Sequence, residues 1–269
     1  MIDPNRSTFA PSTTRAKIHA EFSDTFSRML VDPTVYFCWF CLLSPVFLIC
    51  KLEWGATIKY LTTPYLWVSF LYLFFVLWYT HFHNGKTRIL SPSEHRIANW
   101  FLCNGVYFTL FLDVFSGQFQ RMDAMTTAYN KVECRYLHGL EDDAGITVFM
   151  TSMMELLFQS PLCLLCYYAV HHRRPYRHAA IVVVCALQAA GCWYYYVGEL
   201  LGDFRHCGGW PKDLAEALTF ERLFFFWFSF FVLGLGVWII VPYRIAKRSW
   251  KELSKAVQET DLKEFKKMY

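Results

Sequence analysis

Apolar residues along this chain gather into long blocks separated by polar segments. A transmembrane helix needs about 20 consecutive apolar residues, and six blocks reach or approach that length. The pattern therefore predicts an all-α integral membrane protein, a helical bundle of about six transmembrane helices. The first block is short and contains Pro45, so its alternative is a re-entrant or interfacial segment. The blocks cover residues 33–50, 64–83, 98–117, 146–170, 179–201 and 223–243.

The polar segments between the blocks differ in basic charge, and this difference predicts the orientation. Cytosolic loops carry an excess of Lys and Arg. With a cytosolic N-terminus, 18 of the 26 basic residues fall on the cytosolic side, and the loop 171–178 is the clearest marker. We therefore expect both termini in the cytosol. The chain then divides into an N-terminal segment 1–32, a transmembrane bundle 33–243 with a lumenal loop 118–145, and a basic cytosolic tail 244–269.

Composition agrees with this pattern and excludes a soluble fold. Residues of the AVILMFWYC set make up 55% of the chain and charged residues 18%, whereas soluble domains are about 25% charged. The net charge of +4 reflects the basic cytosolic segments, so it gives little support to a nucleic-acid partner. Lys266 and Lys267 resemble the dilysine retrieval signal of endoplasmic reticulum membrane proteins, with a solvated basic helix end as the alternative. We expect location in the endoplasmic reticulum membrane.

The cysteines and histidines do not form a metal-binding pattern. Most of the ten cysteines lie inside apolar blocks, where they serve as small packing residues more often than as metal ligands. His81 and His83 are two residues apart and point to different helix faces. We expect no metal and no cofactor.

Three carboxylates lie inside predicted spans, where an ionisable group is costly. Asp113 and Glu199 lie near lumenal span ends, and Glu155 is nine residues into its block, about 13 Å deep at 1.5 Å per residue. Thr109 and Thr151 precede Asp113 and Glu155 by one helical turn. A carboxyl group buried among apolar side chains keeps its proton near neutrality and can act as a general acid. The alternative is a structural role, which the position of Glu199 favours.

Aromatic residues are dense in the same spans, including the cluster from Trp193 to Tyr196 near Glu199. The faces of aromatic rings stabilise cations, so acids beside rings suit carbocation chemistry. Packing and interfacial belts are the alternative explanation for most of these rings.

One stretch resembles a known family. Tyr129, Lys131, Glu133, Arg135 and Tyr136 match the Tyr-x-Lys-x-acid-x-Arg-Tyr pattern of the emopamil-binding protein family, the sterol Δ8–Δ7 isomerases and their relatives with the EXPERA fold. The resemblance covers residues 98–248 and implies a five-helix core, to which 33–50 adds an N-terminal helix. It also implies a cavity, open laterally to the membrane, for a sterol-sized amphiphile.

The match departs from the family at the proton-handling positions. The family's catalytic histidine position holds Thr109, and its partner carboxylate is retained as Asp113. The second carboxylate position holds Thr151, and an acid follows one turn later as Glu155. The asparagine expected before Trp238 is missing. These departures imply a relative with a different proton geometry and a different substrate.

The leading hypothesis is a membrane-embedded isomerase or terpene cyclase that protonates an epoxide or alkene of a meroterpenoid-type lipid. The alternatives are a sterol Δ8–Δ7 isomerase and a non-catalytic sterol- or drug-binding receptor. The expected partners are a lipophilic terpenoid or sterol and membrane lipid, with a homodimer left open. The candidate catalytic residues are Asp113, Glu155, Glu199, Thr109 and Thr151. The candidate substrate-binding residues are Tyr107, Gln188, Trp193, Tyr195, Tyr196, Trp227 and Trp238.

Overall fold

The structure is a computed structural model that describes residues 12–268 with five short gaps. In that part of the chain every regular element is helical, which confirms the predicted all-α class. The gaps are residues 31–32, 51–53, 84–86, 131–132 and 208. The helices are α1 (Ser12–Leu30), α2 (Pro33–Cys50), α3 (Trp54–Leu61), α4 (Pro64–Phe82), α5 (Pro92–Gln118), α6 (Asp123–Tyr129), α7 (Asp143–His171), α8 (Arg177–Leu201), α9 (Leu214–Ala217), α10 (Arg222–Ile240) and α11 (Val241–Met268).

Among the described residues, four helices are long and apolar enough to cross a membrane, namely α4, α5, α7 and α8. They correspond to the second to fifth predicted blocks. The first and sixth blocks are helical, as α2 and α10, but several of their side chains lie outside what the structure describes. Six complete spans therefore stay a prediction. Asn5, Lys131 and the side chains of Lys266 and Lys267 also lie outside the described residues.

Two of the spanning helices begin earlier than the apolar blocks because capping residues, and not hydropathy, set their ends. At α5, the Ser91 hydroxyl accepts from the backbone N–H of Glu94, and the Glu94 carboxylate accepts from the N–H of Ser91 at 2.9 Å. This capping box satisfies two free donors at the helix start. At α7, the Asp142 carboxylate accepts from the N–H of Ala144 at 2.8 Å.

Three stretches of the bundle are wound as π-helix. They are residues 104–118 of α5, 155–159 of α7 and the whole of α10. In the second stretch the N–H of Ser160 bonds to the carbonyl of Glu155, five residues back. π-helical turns occur often at functional sites, and Asp113 and Glu155 both lie in such turns.

The main apolar core lies between α2, α4, α5 and the second half of α7. Leu73, Phe101, Phe111 and Tyr167 are fully buried there. Helix α8 packs along α11 and against α10. A separate apolar cluster joins Phe204 to α10 beneath the end of α8. Between these two apolar regions the helices leave a cavity.

The loop after α5 has local structure. It forms α6 and a 3-10 turn over residues 134–137. The ring of Tyr136 packs against Gly117 so closely that a Cβ at this position would lie 2.8 Å from ring atoms. The glycine therefore lets the loop fold back onto the end of α5.

Candidate active site

A cavity of about 300 Å³ opens between α5, α7, α8 and α10. That volume lies at the lower end of the range for small-molecule sites. The loop that follows α5, residues 119–142, is called the covering loop. It covers one end of the cavity with Tyr129, Glu133, Arg135 and Tyr136. The lining is mostly apolar and aromatic, with a few polar groups pointing inward, which suits a lipophilic ligand that carries polar atoms.

Two carboxyl groups from different membrane helices line this cavity. Asp113 belongs to α5 and accepts a hydrogen bond from the hydroxyl of Tyr129. Glu155 belongs to α7, and its Oε2 atom is buried with no hydrogen-bond partner among the described residues. The two acids therefore share one chamber but differ in their hydrogen bonding.

Aromatic rings form the wall beside the acids. The rings of Phe108 and Trp238 meet edge to face with centroids 4.5 Å apart. Tyr195 and Tyr196 also meet edge to face at 5.2 Å. The Tyr196 hydroxyl lies directly against Gly234 of α10, where any side chain would collide with it. These four rings give the cavity faces that can stabilise a cation.

A buried ion-pair network ties the covering loop to α8. Arg135 Nε donates to Glu133 Oε1 at 2.8 Å and lies 3.7 Å from Glu199 Oε1. Its guanidinium sits 3.9 Å above the ring of Tyr195. His206 Nδ1 contacts Glu199 at 2.9 Å. Burial raises the pKa of Glu133, and the Arg135 charge opposes that increase. The network positions the loop over the cavity.

Comparison with known proteins agrees with this architecture. The sequence model of the family described as EXPERA (EXPanded EBP superfamily) matches residues 130–249. Over these residues the chain is similar to the EBP/EXPERA family. The matched stretch contains the covering loop from residue 130 onward, the cavity-lining parts of α7 and α8, and α10.

Relatives within this family are named enzymes. A probable 3-beta-hydroxysteroid-Delta(8),Delta(7)-isomerase of Oryza sativa subsp. japonica is 28% identical over 210 residues, covering 74% of this chain and 85% of the relative. Protoglabretal synthase of Citrus sinensis is 24% identical over 191 residues, covering 68% and 80%. Isomeliandiol synthase of Melia azedarach is 22% identical over 192 residues, covering 68% and 81%.

The structure gathers seven of the predicted site residues around the cavity. From α5 and α7 come the two acids and one of the threonines, and α8 and α10 supply an amide and three rings. Thr151 lines the cavity while its hydroxyl donates to the backbone carbonyl of Thr147. The seven residues are Asp113, Thr151, Glu155, Gln188, Tyr195, Tyr196 and Trp238.

Five other predicted site residues lie outside the cavity lining. Thr109 is buried among helices, and Asp113 takes its hydrogen bond from Tyr129 instead. Tyr107 stacks on Phe111 in the main core, and Trp193 is 68% exposed on the outer face of α8.

Trp227 packs in the cluster around Phe204 and Phe226. Glu199 is fully buried behind Arg135, which it contacts together with His206. Both residues therefore lie beside the site and do not face its interior.

Several lining residues were not among the predicted site residues. Tyr129, Glu133, Arg135 and Tyr136 belong to the motif that carries the family resemblance, but the sequence analysis assigned them no role at the site. Asn104 is an amide inside an apolar span. The test that selected the carboxylates, a polar group where lipid is expected, would have selected Asn104 too.

Proposed function

We propose that this protein is a membrane-embedded, acid-catalysed isomerase or cyclase of a terpenoid lipid. In this proposal Glu155 donates a proton to an alkene or epoxide, and Asp113 receives a proton later in the reaction. The single observation that carries the proposal is the position of these two acids, on facing helices, in one cavity with aromatic walls.

The difference in hydrogen bonding supports the two roles. The unpartnered Oε2 of Glu155 can face a bound substrate, whereas Asp113 accepts from Tyr129, as a carboxylate does. Pairs of carboxyl groups in unlike environments commonly divide acid and base roles in this way. The rings of Phe108, Trp238, Tyr195 and Tyr196 would stabilise the cation between the two proton transfers.

The reaction balances without an oxidant or a reductant. The proton of Glu155 forms a C–H bond with one alkene carbon, or an O–H bond with an epoxide, and leaves a carbocation. The cation either goes directly to the proton loss or first closes a ring by bonding to the electron pair of another double bond, which moves the cationic centre. Finally Asp113 removes a proton from a neighbouring carbon, and that C–H electron pair becomes the new double bond.

The alternative activity is sterol Δ8–Δ7 isomerisation, since a rice relative carries that name. It uses the same two proton transfers on a sterol ring alkene. The position of the family's catalytic histidine holds Thr109, which is buried outside the cavity lining. This observation favours a terpenoid substrate over a sterol. A receptor that binds such lipids without converting them is the remaining alternative.

The test uses full-length protein in a host that lacks sterol isomerase. Sterols and farnesylated aromatic epoxides are supplied in parallel, and products are identified by mass spectrometry. We expect conversion of a terpenoid, with one deuterium incorporated from D₂O where the substrate carbon is protonated. The variants Glu155→Gln and Asp113→Asn should each lower turnover at least ~10²-fold, the usual contribution of a general acid or base.

The matched control is Glu141→Gln, which neutralises an exposed carboxylate of the covering loop. It should retain wild-type turnover. Near wild-type rates in both cavity variants would refute the assignment of the two acids. A wild type that binds terpenoids or sterols but converts none of them would favour the receptor alternative.

We also propose that the protein resides in the endoplasmic reticulum membrane with both termini in the cytosol. The basic loop 171–178, which connects α7 to α8, supports this orientation through its three arginines. The cavity acids then lie in the lumenal half of the membrane, beneath the covering loop.

A further inference from the structure

Two amide side chains lie in the same cavity, away from the acids. Asn104 of α5 donates from Nδ2 to Oε1 of Gln188 of α8 at 3.3 Å. The same nitrogen approaches the sulfur of Cys163 at 3.5 Å. Asn104 is 1% exposed and Gln188 4%, and both line the cavity. A buried amide bridge therefore joins two membrane helices at the cavity wall.

The bridge leaves one acceptor and one donor without partners. Asn104 Oδ1 and Gln188 Nε2 are buried and have no hydrogen bond to any residue that the structure describes. Unpaired polar atoms in an apolar interior cost free energy, so such atoms in a binding cavity usually have a use in binding.

The amide pair presents the same groups to the cavity whichever way each amide is oriented. The oxygen and nitrogen of an amide are assigned from the hydrogen-bond network. If both amides were turned over, Gln188 would donate to Asn104 and the pair would still present one N–H and one carbonyl to the cavity. A hydroxyl group both donates and accepts, so it matches the pair in either orientation.

The amide pair and the acids lie at different depths of the bundle. On α5, Asn104 precedes Asp113 by nine residues, and on α8, Gln188 precedes Tyr195 by seven. Seven residues of α-helix rise about 10 Å. A rigid molecule held by a hydroxyl at the amide pair would thus extend toward the acids and the rings.

We infer that Asn104 and Gln188 bind a hydroxyl group of the substrate, so that this protein selects terpenoid or sterol alcohols whose hydroxyl lies remote from the reacting bond. The inference rests on the proposed function for the identity of the reacting end, and on the amide pair alone for the hydroxyl. It assigns a specificity role to Asn104, a residue outside both the acid pair and the aromatic wall.

The test is a binding comparison that needs no turnover. A labelled 3β-hydroxysteroid is displaced from purified full-length protein by the unlabelled 3β-hydroxysteroid, its 3-deoxy counterpart and its 3-O-methyl ether. The wild type should prefer the alcohol over the deoxy compound at least ~10-fold, since a site built for a hydroxyl rejects ligands that lack it. The ether accepts but cannot donate, so it should bind with intermediate affinity.

The variants Asn104→Leu and Gln188→Met remove the bridge while keeping similar size. Each should reduce the preference for the alcohol to less than about 3-fold, because hydroxyl and deoxy ligands then meet the same apolar wall. The control Cys166→Ala alters a buried residue of α7 outside the cavity lining, and it should retain the preference.

The outcomes separate this inference from the proposed function. Equal wild-type affinity for the alcohol and the deoxy compound would overturn the inference, and this comparison needs no variant to fold. Persistence of the preference in both variants would overturn it as well. Selective binding of the alcohol without any conversion would support the inference while counting against the proposed reaction.

Discussion

At the scale of single residues, Tyr129 and Asp113 show how the covering loop reaches the chemistry. They are 16 residues apart and belong to different elements, yet the Tyr129 hydroxyl donates to the Asp113 carboxyl group. Burial raises the pKa of Tyr129 well above its ordinary value, so the phenol keeps its proton and donates throughout the workable pH range. The hydrogen bond therefore orients one acid while the other stays free to face the substrate.

Replacement of Tyr129 by Phe should lower turnover about 10- to 100-fold, the effect of losing one hydrogen bond to a charged group. Since the phenol does not titrate near neutrality, the loss should be the same from pH 6 to pH 9. Steady-state rates across that range measure it. A Tyr243→Phe variant, which alters an exposed ring of α11 outside the cavity lining, serves as the control. Equal rates in the Tyr129 variant and wild type would show that Asp113 is held by other groups.

At the scale of elements, the covering loop depends on one buried arginine. Arg135 contacts Glu133 and Glu199 and stacks on Tyr195. Burying a charged group costs free energy, and here the attraction between the guanidinium and its two carboxylates offsets that cost. The loop and α8 are thus joined by charge, and the aromatic wall is held with them.

Replacement of Arg135 by Ala should destabilise the folded protein by about 3–5 kcal/mol, because Glu133 would remain as an uncompensated buried charge and Glu199 would keep only its contact with His206. Thermal unfolding in detergent measures the loss. The exposed Arg205 provides a control, and Arg205→Ala should unfold like the wild type. Similar unfolding of the Arg135 variant and wild type would contradict this role of Arg135.

Glu199→Gln should lower turnover less than Asp113→Asn does, since Glu199 acts through Arg135.

The start of α7 gives a pH-dependent prediction. The N–H of Ala144, and then His138, lower the pKa of Asp142 below its ordinary value of 3.8. A lowered folded pKa means that the stabilisation is present above the unfolded pKa and lost as pH falls through the folded one. Asp142→Ala should therefore lower Tm at pH 7, and the difference from wild type should shrink below about pH 3.8.

Asp142→Asn separates the cap from the charge at the same position. Asn caps helices as well as Asp does, so this variant should stay close to wild type at pH 7. Tm values of the three proteins between pH 7 and pH 3 provide the measurement. An alanine variant as stable as wild type at pH 7 would show that the cap does not matter for α7.

At the scale of the whole molecule, the two cavity acids lie toward one end of the bundle. The acids lie on α5 and α7 near the covering loop, and the arginine-rich connection between α7 and α8 lies at the opposite ends of these helices. In the proposed orientation, which follows the positive-inside rule, that connection lies in the cytosol. The covering loop and the segment after α8 would then face the lumen.

Engineered glycosylation sites test this orientation. In an Asn5→Gln background, which removes the native sequon, Lys212→Asn with Leu214→Thr creates an acceptor in the exposed segment after α8. Tyr176→Asn with His178→Thr creates one in the connection before α8. The first protein should carry a glycan that endoglycosidase removes, and the second should not. The reverse pattern would invert the bundle.

The sequence by itself determined that this is an α-helical membrane protein, and it indicated a resemblance to the EXPERA family. Burying a run of about 20 apolar residues leaves few alternatives to a spanning helix. It also selected Asp113 and Glu155 as candidates, because a carboxylate inside a span is costly wherever its side chain points, and both line the cavity.

Only the tertiary structure decided which neighbours those acids have. In an α-helix, Thr109 would lie one turn before Asp113 and next to it. Residues 104–118 are wound as π-helix instead. Asp113 takes its hydrogen bond from Tyr129 of the covering loop. Trp193 and Tyr195 are two residues apart, yet one faces outward and the other lines the cavity. Local spacing predicts that polar and aromatic residues lie in a helix, whereas helix winding, helix packing and the return of the covering loop determine which of them meet. These features arise from contacts between distant segments, which no short pattern in the chain encodes.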